Sequence, residues 1–289
     1  MRIAFATSSD HPELTGDDRL AAEALRARGA EVVPAIWNDV NEDWPAFDLV
    51  VIRSTWDYHT KYTEFLAWLD ALDAGGVRVA NDTKTLRWNA DKRYLKHFEE
   101  RDVNVIPTAF VDCGATDELI EILRGNRWHE AVVKPVVSAT AYKTWRTTLA
   151  TARDDQQKFE KLVSAAGVMV QPFVAEIETE GEWSFQFFGG AFSHAVVKRA
   201  QPGEYRVQEE YGGSIEPAVP PDHLLSEATR YILESPSTPD YARVDAVSVG
   251  GSLMLMELEL IEPDLHFKYD ENAPARFAER VMRVASATG

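Results

Sequence analysis

The sequence predicts a parallel α/β lobe followed by two α+β lobes built on antiparallel hairpins. Two observations carry that reading. The first 80 residues alternate short apolar runs with amphipathic stretches, which is the pattern of parallel strands joined by crossover helices. Further on, two pairs of apolar runs are each joined by Gly-Gly, the signature of tight hairpins. No repeat or low-complexity linker interrupts the chain.

Taken in order, Ile3 to Ala6 reads as a strand, and Asp17 to Arg28 as a helix with Leu20, Ala24 and Leu25 on its apolar face. Val32 to Ile36 and Leu49 to Ile52 are the next strands, then a helix over Trp56 to Leu72 and a strand over Val77 to Ala80. The turn from Thr7 to Gly16 holds one glycine and no GxGxxG, which disfavours a nicotinamide oxidoreductase. Residues 83–103 read as a connecting helix that ends before Val105, Ile106 and Pro107. Val132 to Val137 and Val168 to Val174 are strands on either side of an Asp154 to Ala166 helix. The hairpins run from Trp183 to Phe188 into Phe192 to Lys198, and from Val244 to Val249 into Leu253 to Leu258. Helices over Pro221 to Glu234 and Ala273 to Ala285 flank them. The expected lobes are 1–82, on the substrate side, 83–175 and 176–289.

The 289-residue chain carries 47 acidic against 30 basic residues, a formal net charge of -17. That balance argues against a nucleic-acid partner or an anionic membrane surface. No apolar run approaches the roughly 20 residues of a spanning helix, and the start MRIAFATSSD turns polar too early for a signal peptide. Cys113 is the only cysteine, so no internal disulfide or cysteine-built zinc site forms. A cytoplasmic protein is expected.

The chemistry concentrates in Leu253 to Leu265, LMLMELELIEPDL. Strand alternation sets Glu257 and Glu259 on one face, with Met256 and Leu258 on the other. Neighbouring carboxylates repel unless a cation sits between them, and Asp245 on the paired strand can face them. Three hard oxygen ligands suit Mg2+, while a solvent-facing strand edge is the plain alternative. Lys134 lies in the apolar run AVVKPVV, where an ammonium needs an anionic partner such as a nucleotide phosphate. Lys92, in NADKRYLKHF, reads on its own as a plain helix-surface lysine. Ser138 to Thr144 is small and polar, as a loop over phosphates would be, but has no glycine. Gln171, Phe173 and Val174 end a strand at an apolar spot suited to a purine. Arg206 and Arg243 would complement phosphoryl oxygens, with surface salt bridges as the alternative. Arg53, Trp56 and Asp57 follow a strand at the carboxyl edge of the parallel sheet, where ligands bind. Arg53 would pair a substrate carboxylate and Asp57 an amine, or the segment simply starts a helix. His266 borders the same region, although a lone histidine is more often structural.

In this order, the residues resemble the ATP-grasp superfamily, in its glutathione synthetase and D-alanine–D-alanine ligase branch. The resemblance covers most of the chain. It implies a Rossmann-like N-terminal lobe and two further lobes whose antiparallel sheets clamp ATP. It also implies Lys92, Lys134 and Ser138 at the phosphates, and Gln171, Phe173 and Val174 at the adenine. Glu182 would take the ribose, with Glu178 as the fallback, and Lys198 matches a basic residue of the family. Asp245, Glu257 and Glu259 match the metal triad, with two Mg2+ ions expected and Mn2+ as an alternative. Arg243 and Arg206, with Lys134, would act on the transferring group. Two departures stand out: Glu259 replaces the family's Asn, and the phosphate loop lacks glycines.

The stretches RSTWDYH, NDTKTLRWNADKRYL, VVKPVVSATAYKT and ELELIEPDL are most similar to the cyclo-ligases of D-cycloserine biosynthesis, which act on O-ureido-D-serine. The implied activity is an ATP-dependent carboxylate–amine ligase working through an acyl phosphate on a small amino-acid-like substrate. An intermolecular amino-acid ligase and a non-catalytic nucleotide-binding module are the alternatives. Dimers are common in this superfamily, so a homodimer is an open expectation.

Overall fold

A computed structural model describes residues 1–201, 207 and 212–287. It contains three sheets. Strands β1 (Arg2–Thr7), β2 (Glu31–Ile36), β3 (Leu49–Ile52) and β4 (Val79–Ala80) form a parallel sheet in the order β2-β1-β3-β4. Helices α1 (Gly16–Arg26) and α2 (Tyr62–Ala74) cross over between them. The second sheet is antiparallel, in the order β5-β8-β6-β7, from Ala109–Val111, Val168–Pro172, Glu130–Pro135 and Trp145–Thr148. Helices α5 (Leu119–Gly125) and α6 (Gln156–Val163) pack on it through Leu119, Leu123 and Phe159. The third is antiparallel, in the order β11-β10-β9-β12-β13. Its strands are β9 (Glu182–Phe188), β10 (Ala191–Arg199), β11 (Ser214–Ala218), β12 (Tyr241–Val249) and β13 (Ser252–Glu259), flanked by α8 (Asp222–Leu233) and α9 (Ala273–Ser286).

Both expected hairpins form. Gly189 and Gly190 have φ of 58° and 79°, and Gly250 and Gly251 have 60° and 87°. Two consecutive positive φ angles define the turn that matches strand twist, and glycine adopts them without steric cost.

Several expectations are corrected. Leu20 is 36% exposed, because α1 turns Asp18, Ala21, Ala22 and Leu25 inward. The helix expected from Trp56 starts only at Tyr62, because residues 53–61 form a turn and a short 3-10 segment, Tyr58–Thr60. The connecting helix is broken into α3 (Thr83–Ala90), a 3-10 turn at Lys92–Tyr94 and α4 (Leu95–Glu99). Asp91 causes the break: its backbone is extended, and its side chain accepts from Arg93 N at 2.9 Å. β13 also departs from simple alternation. A bulge between Asp245 and Ala246 lets Leu255 and Leu258 both face the core, leaving Met256 half-buried beside Glu257. Met256 and Leu258 therefore do not share a face. Strands β5, β7 and β11 are too short or too polar to have been legible.

The hydrophobic cores cut across the sequence order. Ile3, Phe5 and Val51 of the parallel sheet pack directly with Tyr241, Phe267, Phe277 and Val281 from the C-terminal part. The second sheet has its own core of Val111, Leu119, Val133, Phe159 and Val170. Phe98 and Tyr94 of the connecting segment pack on Phe185, Tyr231 and Leu255.

Candidate active site

Past the carboxyl end of β3, Arg53 and Trp56 bond to the segment that follows β13, a strand that carries part of a row of charged side chains on the third sheet. Cross-strand pairing sets Asp245 opposite Glu257, Arg243 opposite Glu259, Ser184 beside Asp245 and Glu182 opposite Lys198. Strand register alone thus brings four carboxylates and two cations together.

Asp245 is the centre of the row. It is 4% exposed and accepts from Arg243 Nη2 at 2.8 Å, Arg243 Nε at 3.0 Å, Lys198 Nζ at 3.3 Å and the Ser184 hydroxyl. Burial alone would raise its pKa, but Arg243 and Lys198 outweigh that and hold it well below the usual carboxylate range. Lys198 also binds Glu182 at 2.6 Å. Burial would lower the Lys198 ammonium, yet Asp245 and Glu182 raise it, so it stays charged. Glu182 itself is shifted upward by burial, against the pull of Lys198.

Glu257 and Glu259 are half-buried. Lys92 Nζ contacts Glu257 at 2.8 Å, and Arg243 contacts Glu259. Burial pushes Glu259 up to about 8; Arg243 opposes the shift, and Asp245 and Glu257 add to it. Lys92 reaches this row because the break at Asp91 turns it inward; it is 5% exposed, and its ammonium also donates to the Ser138 carbonyl. Its backbone N–H donates to Val136 O at 2.8 Å, which fixes the turn against the end of β6.

The side chain of Lys134, on β6, has no hydrogen-bond or ion-pair partner among the described residues. Burial lowers its pKa; Glu257 raises it and Lys92 lowers it further, which puts its ammonium within electrostatic reach of both. Two lysines within reach of one another, one of them without an ion-pair partner among the described residues, suit an anion.

Around this centre, Ser138 is buried and its hydroxyl donates to Pro135 O. Gln171 is buried and donates to Thr108 Oγ1 at 2.9 Å. Phe173 pairs its backbone N–H with Glu130 O, and Arg146 lies 3.7 Å above its ring. Val174 is half-buried. Glu178 is exposed and pairs with Arg146 at 2.9 Å, so Glu182 and Glu178 sit in different settings. Arg206 lies outside the described residues.

The three proposed substrate contacts are engaged inside the protein. Arg53 is 2% exposed, donates to Asp18 at 2.8 Å and to Pro263 O at 2.9 Å, and keeps Nη1 unpartnered. Trp56 Nε1 donates to Glu262 O at 3.0 Å. Asp57 accepts from Trp37 Nε1 and Lys61. Sequence reasoning missed Glu262 and Tyr58. Burial and Glu259 push the Glu262 carboxyl well up, and burial and Glu262 do the same to the Tyr58 hydroxyl. β13 ends at Glu259, so strand periodicity could not reach Glu262.

The donor set fits Mg2+ in kind, since Asp245, Glu257 and Glu259 offer only carboxylate oxygens on neighbouring positions. Among the described residues no three such groups close on one point, because Arg243 and Lys92 stand between them.

Comparison with known proteins agrees with this fold. Residues 3–81 match the family described as D-cycloserine synthetase DcsG, N-terminal domain. The cycloserine biosynthesis protein DcsG of Streptomyces lavendulae is 30% identical over 271 residues, covering 89% of this chain and 90% of that protein. The crystal structure of D-cycloserine synthetase DcsG superposes with a TM-score of 0.90 at 27% identity, over 98% of this chain and 100% of that one. D-alanine–D-alanine ligase from Bacillus anthracis shares the fold, with a TM-score of 0.71 at 15% identity, over 99% and 97% of the two chains. No helix among the described residues is long and apolar enough to cross a membrane. With its three sheets, its charged row and this relative, the chain belongs to the DcsG family of ATP-grasp ligases.

Proposed function

We propose that this ligase activates the carboxylate of an amino-acid-like substrate and closes it on a nitrogen of the same molecule, with O-ureido-D-serine to D-cycloserine as the assigned reaction. The observation that supports the reading is the row of Asp245, Glu257 and Glu259 met by Lys92, with the Lys134 ammonium free of an ion-pair partner among the described residues and within electrostatic reach of Lys92 and Glu257. A triphosphate supplies the missing negative charge, and Mg2+ on Asp245, Glu257 and Glu259 would neutralise it from the other side. One Mg2+ or two, or Mn2+ in its place, are variants of the same scheme.

Free carboxylates are poor electrophiles. Attack of a substrate carboxylate oxygen on the γ-phosphorus expels ADP and leaves an acyl phosphate, whose carbonyl carbon the oxygen-bound nitrogen attacks, losing its proton as phosphate departs; the carbamoyl group of that nitrogen is cleaved by water and leaves as carbon dioxide and ammonia. Lys92 and Lys134 hold and polarise the transferring group, with Ser138 in the loop above it. Arg243, already aimed between Asp245 and Glu259, stabilises the oxyanion, a role worth about 10²–10³ in rate. Arg206 is assigned to phosphate or substrate by its place in GEYRVQEEYGG. Gln171, Phe173 and Val174 take the adenine, Glu182 the ribose with Glu178 as fallback, and Lys198 keeps Glu182 and Asp245 charged. Arg53, Trp56 and Asp57 shape the substrate side. The lobes are assigned to 1–82, 83–175 and 176–289, and a cytoplasmic setting and a homodimer complete the reading.

The test is ADP release with Mg-ATP and O-ureido-D-serine alone, with the L-enantiomer and Lys134→Ala as controls. Turnover without an added amine supports the cyclo-ligase. ADP release only after a second amino acid is supplied makes the protein an intermolecular ligase instead. Silence with every amino acid overturns the catalytic reading.

A further inference from the structure

Arg146, on β7, has no part in the chemistry assigned above, yet its whole guanidinium is committed. Nε and Nη2 donate to the two oxygens of Glu130, the Nη2 bond at 3.0 Å, and Nη1 donates to Glu178 at 2.9 Å. Its Cζ lies 3.7 Å from the centre of the Phe173 ring. One flat cation thus joins β6, β7, the segment that follows β8 and the short helix α7 (Glu176–Thr179).

Register places this group on the face that carries Lys134. Glu130, Val132 and Lys134 alternate onto one side of β6, and Val132 pairs with Arg146 on one flank and Gln171 on the other. Paired residues share a face, so Gln171, Val132 and Arg146 form a row across the sheet, with Glu130 diagonal to Arg146. Glu130 lies four residues before Lys134, about 13 Å along the strand, on the order of a nucleotide's own length.

Building on the nucleotide reading above, we propose that Arg146 is a positioning residue for the nucleoside: it sets the segment from Phe173 to Glu178 in place before ATP arrives. The segment cannot hold itself. α7 is only four residues long and buries only Ile177, so its orientation depends on the Glu178–Arg146 pair. Without that cation, Glu130 and Glu178 would converge as two bare carboxylates and repel, and a nearby triphosphate would add to the repulsion. Arg146 works through the backbone it fixes rather than by touching the base. The Phe173 N–H is already engaged by Glu130 O at 3.0 Å, and the guanidinium covers one face of the Phe173 ring, so a purine does not stack on that face. Lysine cannot take over the task, because a point charge cannot fork onto Glu130, reach Glu178 and lie flat on the ring at once.

The experiment is calorimetric titration of the full chain with Mg-ATP and with Mg-tripolyphosphate, which carries the phosphates but no nucleoside. Wild type should prefer ATP. In Arg146→Met the ATP affinity should fall about tenfold while the tripolyphosphate affinity stays within about twofold, and Arg146→Lys should recover only part of the loss. Glu130→Gln, which loosens the guanidinium without removing it, should show the same selective loss in smaller degree. An ATP preference that survives unchanged in Arg146→Met and Glu130→Gln overturns the proposal. So does an equal loss for both ligands, which would mark a merely structural role in the sheet. A wild type that binds neither ligand, or does not prefer ATP, overturns the nucleotide reading itself and the Arg146 assignment with it.

Discussion

Lys134 and Lys198 are both lysines on strands, yet they should fail in opposite ways. Lys198 is locked between Glu182 and Asp245, so Lys198→Met leaves buried carboxylates uncompensated and should cost about 3–5 kcal/mol in urea unfolding. Lys134→Met removes an unpaired cation and should leave the urea midpoint unchanged or raised, while nucleotide affinity falls at least tenfold in calorimetry. Asp17 gives a pH signature, because burial, with Asp264 adding to it, raises its carboxyl. The unfolded chain releases this proton near 3.8 and the folded chain near 7, so its contribution to stability falls as pH rises between those values and is level above. The melting temperature of wild type minus that of Asp17→Asn should therefore decline from pH 4 to about 7. His266 slopes the other way, because burial lowers its imidazole against the pull of Asp264. Its unfolded ring takes a proton below 6.5 and its folded ring only near 3, so stability is lost as pH falls through that window. Sequence alone showed Lys134, because a lysine inside an apolar run is conspicuous. It also showed the Asp245–Glu257–Glu259 group, because period 2 is legible. It hid Asp17, Tyr58 and Glu262, which matter only through contacts across more than 200 residues of chain or beyond a strand's end.

At the scale of elements, the turns decide where side chains arrive. Asp91 ends α3 and delivers Lys92 to Glu257; Asp91→Ala should cost about 1 kcal/mol in stability and weaken nucleotide binding together, seen in paired unfolding and binding measurements. Gly181 opens β9 with φ of 86°, and a Cβ there would lie 2.6 Å from Lys198 O. Gly181→Ala should lower stability by at least about 1–2 kcal/mol and disturb the Glu182–Lys198 pair, read by urea unfolding. Hairpins were readable because Gly-Gly between apolar runs leaves little choice. Helix ends were not. Residues 83–103 have unbroken helical spacing, and the helix stops where Arg93 N donates to the Asp91 side chain and Lys92 N to Val136 O. The loop from Ser138 to Thr144 lacks glycine, and the structure resolves that by placing Thr140, Ala141 and Lys143 at positive φ.

For the whole molecule, packing overrides sequence order. The parallel sheet and the C-terminal part share one core, in which fully buried Phe277 alone contributes about 1.5–3 kcal/mol, and Asn81 bonds to Tyr241 O and Leu260 O across the seam. Residues 1–82 expressed alone should expose this face and show no cooperative melt by circular dichroism. The second sheet has a core of its own and carries Lys134 and Gln171. The segment from Glu262 to Leu265 is clamped to the block at successive carbonyls, by Trp56, Arg53, Arg243 and His194. A wall fixed at four consecutive peptide units cannot bend around a guest. If the substrate sits there as proposed, selection on that side works by refusal: a side chain one atom too wide is turned away rather than accommodated.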